Sequence, residues 1–429
     1  MNKIFQGISF YIICCLVFNN TFAQSPDWTW LSKSTWIGGI GSTIGITHDS
    51  NGNAYMTGQF ASPTLTLGNQ TVTNYSYNDN LTICTVKYDS TGNVKWTRTA
   101  TGYFDYIKPN SITVDNSGNV FVTGCFHGDS IIFGNYILRS PYQMYLYDNF
   151  FVVKYSSSGQ VMWAKCMSSA NNINGSCNGN GIDTDESGNA YIIGNFSSNN
   201  IIIDSDTLVK TDSSTYPYNN IFLLKLNNQG NSVWIKQFSG NMDDSGNNIA
   251  VKDDKILITG EFQSPTLSFQ GIDLHCLSSA NVSFITKLDT SGNVIWANGQ
   301  KASGNSFGKD VDFGINGVCY LAGNFDGNSL VIGSDTLSSN GLFINNFFCA
   351  AYDSTGNPLW AKCPADCLES WVSSISTDES GEVYLIGHYY CDGSQGISFD
   401  GTHIIKAFGA GNNVYIVKYN QTGSVEWAK

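Results

Sequence analysis

DTSGNVIW, residues 289–296, decides the fold because it is written six times with small variations. The other copies are DSTGNVKW (89–96), SSSGQVMW (156–163), NNQGNSVW (227–234), DSTGNPLW (353–360) and NQTGSVEW (420–427). Each closes on a tryptophan: Trp96, Trp163, Trp234, Trp296, Trp360 and Trp427, spaced 67, 71, 62, 64 and 67 residues apart. A glycine ending an apolar run keeps the same beat at Gly58, Gly124, Gly194, Gly260, Gly323 and Gly387. Self-similarity at a fixed period of this size marks an array of supersecondary units.

One unit shows the grammar. In the second copy SITVD (111–115) is followed by the turn NSGN, then VFVTGCF (120–126). After about 25 loop residues come FVVKY (151–155), SSSGQ and VMWAK (161–165). β-branched and aromatic runs bounded by turn residues read as strands, giving two hairpins and four strands per unit, A to D. No stretch carries a sustained helical period. In the A–B turns Asp49, Asp115, Asp185 or Asp378 stands three residues before a glycine. In the C–D turns Asp89, Ser156, Asn227, Asp289, Asp353 or Asn420 holds that place. Such side chains bond amides two residues on, and the glycine adopts φ > 0. Each turn offers a single carboxylate, whereas a calcium loop converges several oxygens, so these read as turns.

Six four-stranded units without helices predict an all-β chain folded as a β-propeller of about 66-residue repeats. The repeat tryptophans are expected to pack between blades. WTW stands at 28–30, and Trp30 lies 66 residues before Trp96, so 28–30 reads as a spare D strand. Six closed blades and an incomplete seven-bladed ring both remain open.

Segments such as SITVDNSGNVFVTGCF, NFFVVKYSSSGQVMWAK and TKLDTSGNVIWA resemble the bacterial β-propeller repeat family called SBBP, across residues 30–429. That resemblance implies an exported propeller module, usually without an assigned activity. The TG-x-x-x-W turn is also similar to the tryptophan-docking motif of quinoprotein dehydrogenases. Here the loop is one residue shorter, and no vicinal cysteine pair stands outside the leader. The comparison therefore implies blade packing, and no cofactor is expected.

Residues 1–23 read as a signal peptide: Lys3, then the short apolar ISFYIICCLVF, then Thr21-Phe22-Ala23 before Gln24. The expectation is a secreted or cell-surface domain, 24–429, cleaved near Ala23, without membrane insertion. Formal net charge is −13, and the leader removes Lys3 but no acid. A chain this poor in basic residues argues against nucleic acid and anionic membranes as partners. Charged residues make up 13% and aromatics another 13%, which supplies a core and excludes disorder.

Outside the leader, Cys166 with Cys177 and Cys363 with Cys367 bracket equivalent loops and are expected to form two local disulfides. CPADC lacks a second ligand pair, so no metal site is assigned. Cys84, Cys125, Cys319 and Cys349 fall in strand-like runs as buried thiols.

Antiparallel order puts short A–B and C–D turns on one end of each unit and long, variable B–C and D–A segments on the other. Function is expected among the second class. TNYSYNDN carries Tyr75 and Tyr77, SPYQMYLYDN carries Tyr142, Tyr145 and Tyr147, and SSTYPYNN carries Tyr216 and Tyr218. Tyrosine among asparagine and serine suits protein or glycan recognition, or covers blade edges. The short runs IIFG, IIID, TLSF, LVIG and ISFD predict an accessory strand in the B–C loops. At the end of strand B, Glu261 and His388 occupy a copy-specific polar position. In strand A, Asp183 and Asp312 replace small residues and define either an acidic channel site or solvated lining. No HExxH or G-x-S-x-G motif is present. The reading is a non-enzymatic protein- or glycan-binding scaffold. Its alternatives are a carbohydrate-active enzyme and a structural module of a larger surface protein.

Overall fold

In a computed structural model of the chain, the described residues are 34–36, 41–76, 80–140, 147–167, 175–210, 216–276, 280–339, 345–365, 369–392, 396–406 and 410–429. The spare strand expected at 28–30 lies outside them. Two compact units result, Met1–Leu146 with Val152–Lys165, and Tyr147–Phe151 with Cys166–Lys429.

Six antiparallel sheets follow the order A-B-C-D. In the first unit, sheet 1 is Gly41–His48, Ala54–Phe60, Thr82–Tyr88 and Val94–Arg98. Sheet 2 is Thr101–Val114, Val120–Phe133, Asn149–Tyr155 and Val161–Cys166, its strand C passing between the units' residue ranges. The second unit holds sheet 3 (Cys177–Thr184, Ala190–Phe196, Asn220–Leu226, Ser232–Phe238) and sheet 4 (Asp244–Lys252, Lys255–Phe262, Val282–Asp289, Val294–Gly299). It also holds sheet 5 (Ser306–Phe313, Cys319–Phe325, Asn346–Tyr352, Pro358–Lys362) and sheet 6 (Glu369–Thr377, Val383–Asp392, Ala410–Tyr419, Val425–Ala428). Among the described residues the one helical element is a 3-10 turn, Ile315–Gly317.

The turn chemistry is as the sequence predicts. Asp289 Oδ1 accepts the amides of Ser291 at 2.9 Å and Asn293 at 2.8 Å, and Oδ2 accepts the Asn293 side-chain amide at 2.9 Å. Slight burial opposes ionisation there, yet these bonds hold the carboxyl below its ordinary range. In A–B turns the second oxygen also takes a tyrosine hydroxyl: Tyr55 on Asp49 at 2.8 Å and Tyr191 on Asp185 at 3.0 Å. Both carboxylate oxygens are thus committed within the turn. Asp289→Ala should cost about 1 kcal/mol in urea unfolding, while a calcium chelator leaves the wild-type midpoint unchanged. A chelator-induced drop would overturn the turn assignment.

The repeat tryptophans dock on the next sheet's C–D turn. In the first unit Trp96 Nε1 donates to Ser157 O at 3.1 Å, and its ring packs 6.1 Å from Tyr155. In the second unit Trp296 donates to Ser354 O at 3.1 Å and Trp360 to Gln421 O at 2.9 Å. Each ring lies over the turn glycine: a Cβ on Gly356 would stand 2.7 Å from Trp296. The strand C lysine adds a second tie. Lys225 Nζ donates to Thr290 O at 3.3 Å and lies 4.9 Å from the Tyr191 ring centre, and Lys287 donates to Ser354 O at 3.4 Å. Lys154 is buried against Asp115 at 3.4 Å. Several of the few cations are therefore spent on internal packing.

Every strand A carries a β-bulge, at Ile44, Asn110, Asn180, Asn247, Lys309 and Ser373. The residue just before each bulge pairs with the repeat glycine of strand B, as Gly179 does with Gly194. A bulge sharpens the local twist and drives the two backbones together, so only hydrogen fits between them.

The accessory element is a hairpin rather than the single strand expected. Thr64–Leu67 with Gln70–Thr73 and Thr266–Phe269 with Ile272–His275 are two of its copies. Its turn reaches strand D: Gln70 Nε2 donates to Lys95 O at 3.1 Å, and Val294 N donates to Gln270 Oε1 at 3.0 Å. Asp204 takes Ser232 N and Asp335 takes Ala361 N, both at 2.9 Å. The hairpin thus covers polar groups along the sheet's open edge, which removes a template for edge-to-edge pairing. A third strand joins it from the D–A linker, as Ser34–Trp36 pairs with Leu65–Leu67 and Lys301–Ala302 with Leu330–Val331.

The disulfide expectation is corrected. No disulfide joins Cys166 to Cys177, and Cys177 Sγ turns instead to the Met167 thioether at 3.5 Å. Cys363 is also unbridged, its Sγ 3.9 Å from Ser338 O, and Cys367 lies outside the described residues. Cys84, Cys125, Cys319 and Cys349 are buried as expected, and burial pushes the Cys84 thiol up to about 12.

Candidate functional site

Two polar layers tie successive sheets together, the outer one at the end where B–C and D–A segments emerge and the inner one along the A strands. The outer layer ties the residue before strand C to the residue before the next strand A. In the second unit Asn219 N donates to Asp243 Oδ1 at 3.0 Å, while Asp244 N donates to Asn219 O at 2.9 Å. Asn281 N with Asn305 Oδ1 (2.9 Å) and Ser306 N with Asn281 O (2.8 Å) repeat the pattern. Asp148 and Ser176 repeat it again. Reciprocal bonds of this kind fix where each loop begins. The asparagine ahead of strand C was a readable signal, because its amide and carbonyl suit a backbone-like exchange.

The inner layer runs between successive A strands. Asn180 Nδ2 donates to Gly246 O and Asn247 Nδ2 to Gly308 O, both at 2.8 Å. Asn247 also donates to Glu261 Oε2 at 2.5 Å. Burial raises the Glu261 pKa, and nearby Lys309 opposes that shift. Asp183 Oδ2 accepts Val251 N at 2.7 Å. Asp312 Oδ2 accepts Thr377 N at 2.7 Å and its hydroxyl at 3.1 Å. Burial raises the Asp312 pKa against these donors. The two strand A carboxylates therefore serve separate sheet junctions. His388 stacks on Trp371, centroids 4.7 Å apart and planes at 16°, and burial lowers its pKa.

Asp310 escaped sequence reading and is the most heavily bonded carboxylate of this layer. Oδ1 accepts Asn248 Nδ2 at 2.6 Å and Val311 N at 2.9 Å. Oδ2 accepts Ser374 Oγ at 2.7 Å and Ile375 N at 2.9 Å. One side chain thus joins the A strands of sheets 4, 5 and 6. Burial pushes its pKa up to about 7.

The tyrosines divide by position. Several strand tyrosines, among them Tyr55, Tyr191 and Tyr352, are fully buried. The most exposed of the described tyrosines are Tyr75 (58% exposed) on the B–C segment of sheet 1, Tyr103 (74%) near the start of strand A of sheet 2, and Tyr216 (68%) on the B–C segment of sheet 3, with Tyr136 and Tyr390 less exposed. Tyr75 sits between Asn74 and Ser76, which tie the loop to Asn80 O at 3.0 and 2.6 Å. Tyr103, paired with Ser130, stands immediately before a register shift between strands A and B. Tyr216 and Tyr218 pack ring to ring at 5.9 Å. Tyr147 is half-buried, and Tyr77, Tyr142 and Tyr145 lie outside the described residues. Tyr103 went unread because a lone tyrosine beside a strand start has no pattern of its own.

Repeating four-stranded sheets joined through their A strands, with tryptophans docked on turns, define the β-propeller type of repeat. Residues 95–124 match the family model SBBP, a beta-propeller repeat, so the chain carries repeats of that type. It is 25% identical over 364 residues to an uncharacterized WD repeat-containing protein, L264, of Acanthamoeba polyphaga mimivirus. That match covers 71% of this chain and 26% of the relative, so the chain spans about a quarter of that protein. Among solved structures, a putative 6-phosphogluconolactonase from Bacteroides uniformis is similar at TM-score 0.42 and 9% identity, covering 89% of this chain and 82% of that one. A polysaccharide lyase of family PL25, an ulvan lyase, is similar at TM-score 0.43 and 10% identity, covering 90% and 92%. Likenesses this remote carry no chemistry. Among the described residues no helix is long and apolar enough to cross a membrane.

Proposed function

We propose that the chain is an exported β-propeller binding scaffold that recognises a protein or glycan through its B–C and D–A segments. The observation that carries this is the partition of tyrosine. Tyr55, Tyr191 and Tyr352 are buried where the fold uses the ring, whereas Tyr75, Tyr103 and Tyr216 are the most exposed of the described tyrosines, two on B–C segments and Tyr103 near the start of strand A of sheet 2. A rigid aromatic presented at low entropy cost is the side chain that recognition surfaces favour. The A–B and C–D turns contribute nothing comparable, because their carboxylates are satisfied internally. Asp183 and Asp312 are bound to strand A amides, which favours a scaffold over a carboxylate-pair hydrolase.

Residues 24–429 screened on polysaccharide, glycan and extracellular protein panels should bind in at least one class without releasing reducing ends. Substituting Tyr75, Tyr103 and Tyr216 each by alanine should weaken that binding about tenfold or more at the engaged residues. Unchanged binding in the triple variant, or sugar release in the wild type, would overturn the reading.

A further inference from the structure

Three positions report whether a neighbouring sheet covers a given face. In strand A, Ile112, Ile182, Ile249, Val311 and Ile375 are buried, and Ile46, at the same place in sheet 1, is 49% exposed. In strand B the residue before the repeat glycine is buried at Thr57, Thr123, Ile193, Thr259 and Ala322, but 39% exposed at Ile386 of sheet 6. In strand C, Ile83, Phe150, Ile221, Ser283 and Phe347 are buried, and Val414 of sheet 6 is 59% exposed.

The cover is visible inside the second unit. Gly246, on strand A of sheet 4, is seated on sheet 3: a Cβ there would overlap Ile193 and stand 3.1 Å from Ile221. Gly308 sits likewise against Thr259. Asn195 and Asn324 lie where His388 lies in sheet 6, and Asn324 Nδ2 donates to the next strand A at Ser370 O, 3.2 Å away. In sheet 6 the Trp371–His388 stack takes this place beside Ile386 and Val414. A sheet that ends an array needs a polar outer face, and this one is apolar and aromatic.

An independent observation comes from the other end of the array. The residue five after four of the repeat tryptophans pairs with the third residue of the next accessory strand. The pairs are Thr101–Ile132, Ser239–Ser268, Lys301–Val331 and Ala365–Ser398. Thr35 pairs with Thr66, the third residue of Thr64–Leu67, in the same register. Ser34–Trp36 is therefore a D–A linker, and five residues before Thr35 the sequence has Trp30. In the other copies a linker in this register follows strand D of the preceding sheet.

We propose that the face bearing Ile386, Val414 and the Trp371–His388 stack is a docking surface for strand A of one further four-stranded sheet of this repeat type, beyond the six described. Its strand A would place a small residue over Ile386 and Val414, as Gly246 does over Ile193 and Ile221.

Cysteine accessibility tests this. In residues 24–429, Val414→Cys should alkylate freely, and the double variant Ile46→Cys, Val414→Cys should form no bond within a monomer. Appending a second copy of Lys301–Lys362 after Lys429 should slow alkylation of Val414→Cys at least tenfold and raise the unfolding midpoint. A 46–414 disulfide in the monomer would show that the six sheets close on themselves. Protection of Val414→Cys that grows with protein concentration would assign the face to a second copy. Unchanged alkylation in a folded extended chain would exclude a sheet as the occupant. Each of these three results overturns the proposal.

Discussion

Gly194→Ala is expected to abolish cooperative folding of the second unit. Gly194 faces Gly179 across the A–B pair, immediately before the bulge at Asn180. A methyl group there would fall on the carbonyl oxygen of Asn178 and stand 2.8 Å from the Phe222 ring. Neither obstacle can yield. The carbonyl belongs to a paired strand, and the phenyl ring is fully buried in the core. Overpacking ordinarily costs 1–3 kcal/mol when side chains can shift, so a clash with fixed backbone should cost more than about 3 kcal/mol. Gly271 is the control. It lies in the accessory hairpin with nothing within 4 Å of a Cβ, but at φ 93° alanine there still strains the turn. Gly271→Ala should therefore lose only about 1 kcal/mol. Urea unfolding of both variants checks the contrast, and equal losses would mean that the bulge is not the reason for the repeat glycine.

The same glycine shows how far the sequence could be read. Its period was plain in the residues, but its cause was not, since a bulge is a property of two paired strands and leaves no local composition. The turns were legible because Asp289 and Gly292 act within a few residues of each other. The tryptophan's role was legible because one register in every copy implies one packing environment. The accessory hairpins were half legible: runs such as TLSF announce a strand, whereas the return strand IDLH is short and mixed. The cysteine pairs misled because equal spacing from the tryptophan says nothing about direction, and Cys177 faces inward toward Met167. Asp183 and Asp312 stand out in the sequence because other copies hold small residues there. Their partners, 68 and 65 residues away on the next strand A, could not be found without the sheet stacking.

Asp310→Ala should be nearly as damaging, and its pH dependence separates charge from packing. Removing the carboxylate leaves the amides of Val311 and Ile375, the Asn248 side chain and the Ser374 hydroxyl without their acceptor in a buried layer. Each unsatisfied buried donor costs about 1–3 kcal/mol, so a loss of roughly 4 kcal/mol or more is expected. Acid behaviour follows from the direction of the shift. Burial raises the folded pKa to about 7, above the 3.8 of an ordinary aspartate. Between those values the folded state holds the proton more often than the unfolded chain. This carboxyl therefore favours folding most below about pH 4, and its contribution falls as pH rises through 7. Asp244, raised by burial to about 6, acts in the same direction. The turn carboxylates Asp49 and Asp289, with lowered pKa values, act oppositely at more acid pH. Asp310→Asn keeps the size of the side chain and an oxygen for two of the donors, while it removes the charge. Its unfolding free energy should be lower than wild type at pH 4 and approach it toward pH 8, since only the wild type loses stability over that interval. A constant difference between the two proteins from pH 4 to 8 would show that the carboxyl ionises in the folded chain as it does in the unfolded one, and that Asp310 is held as an anion by its four donors.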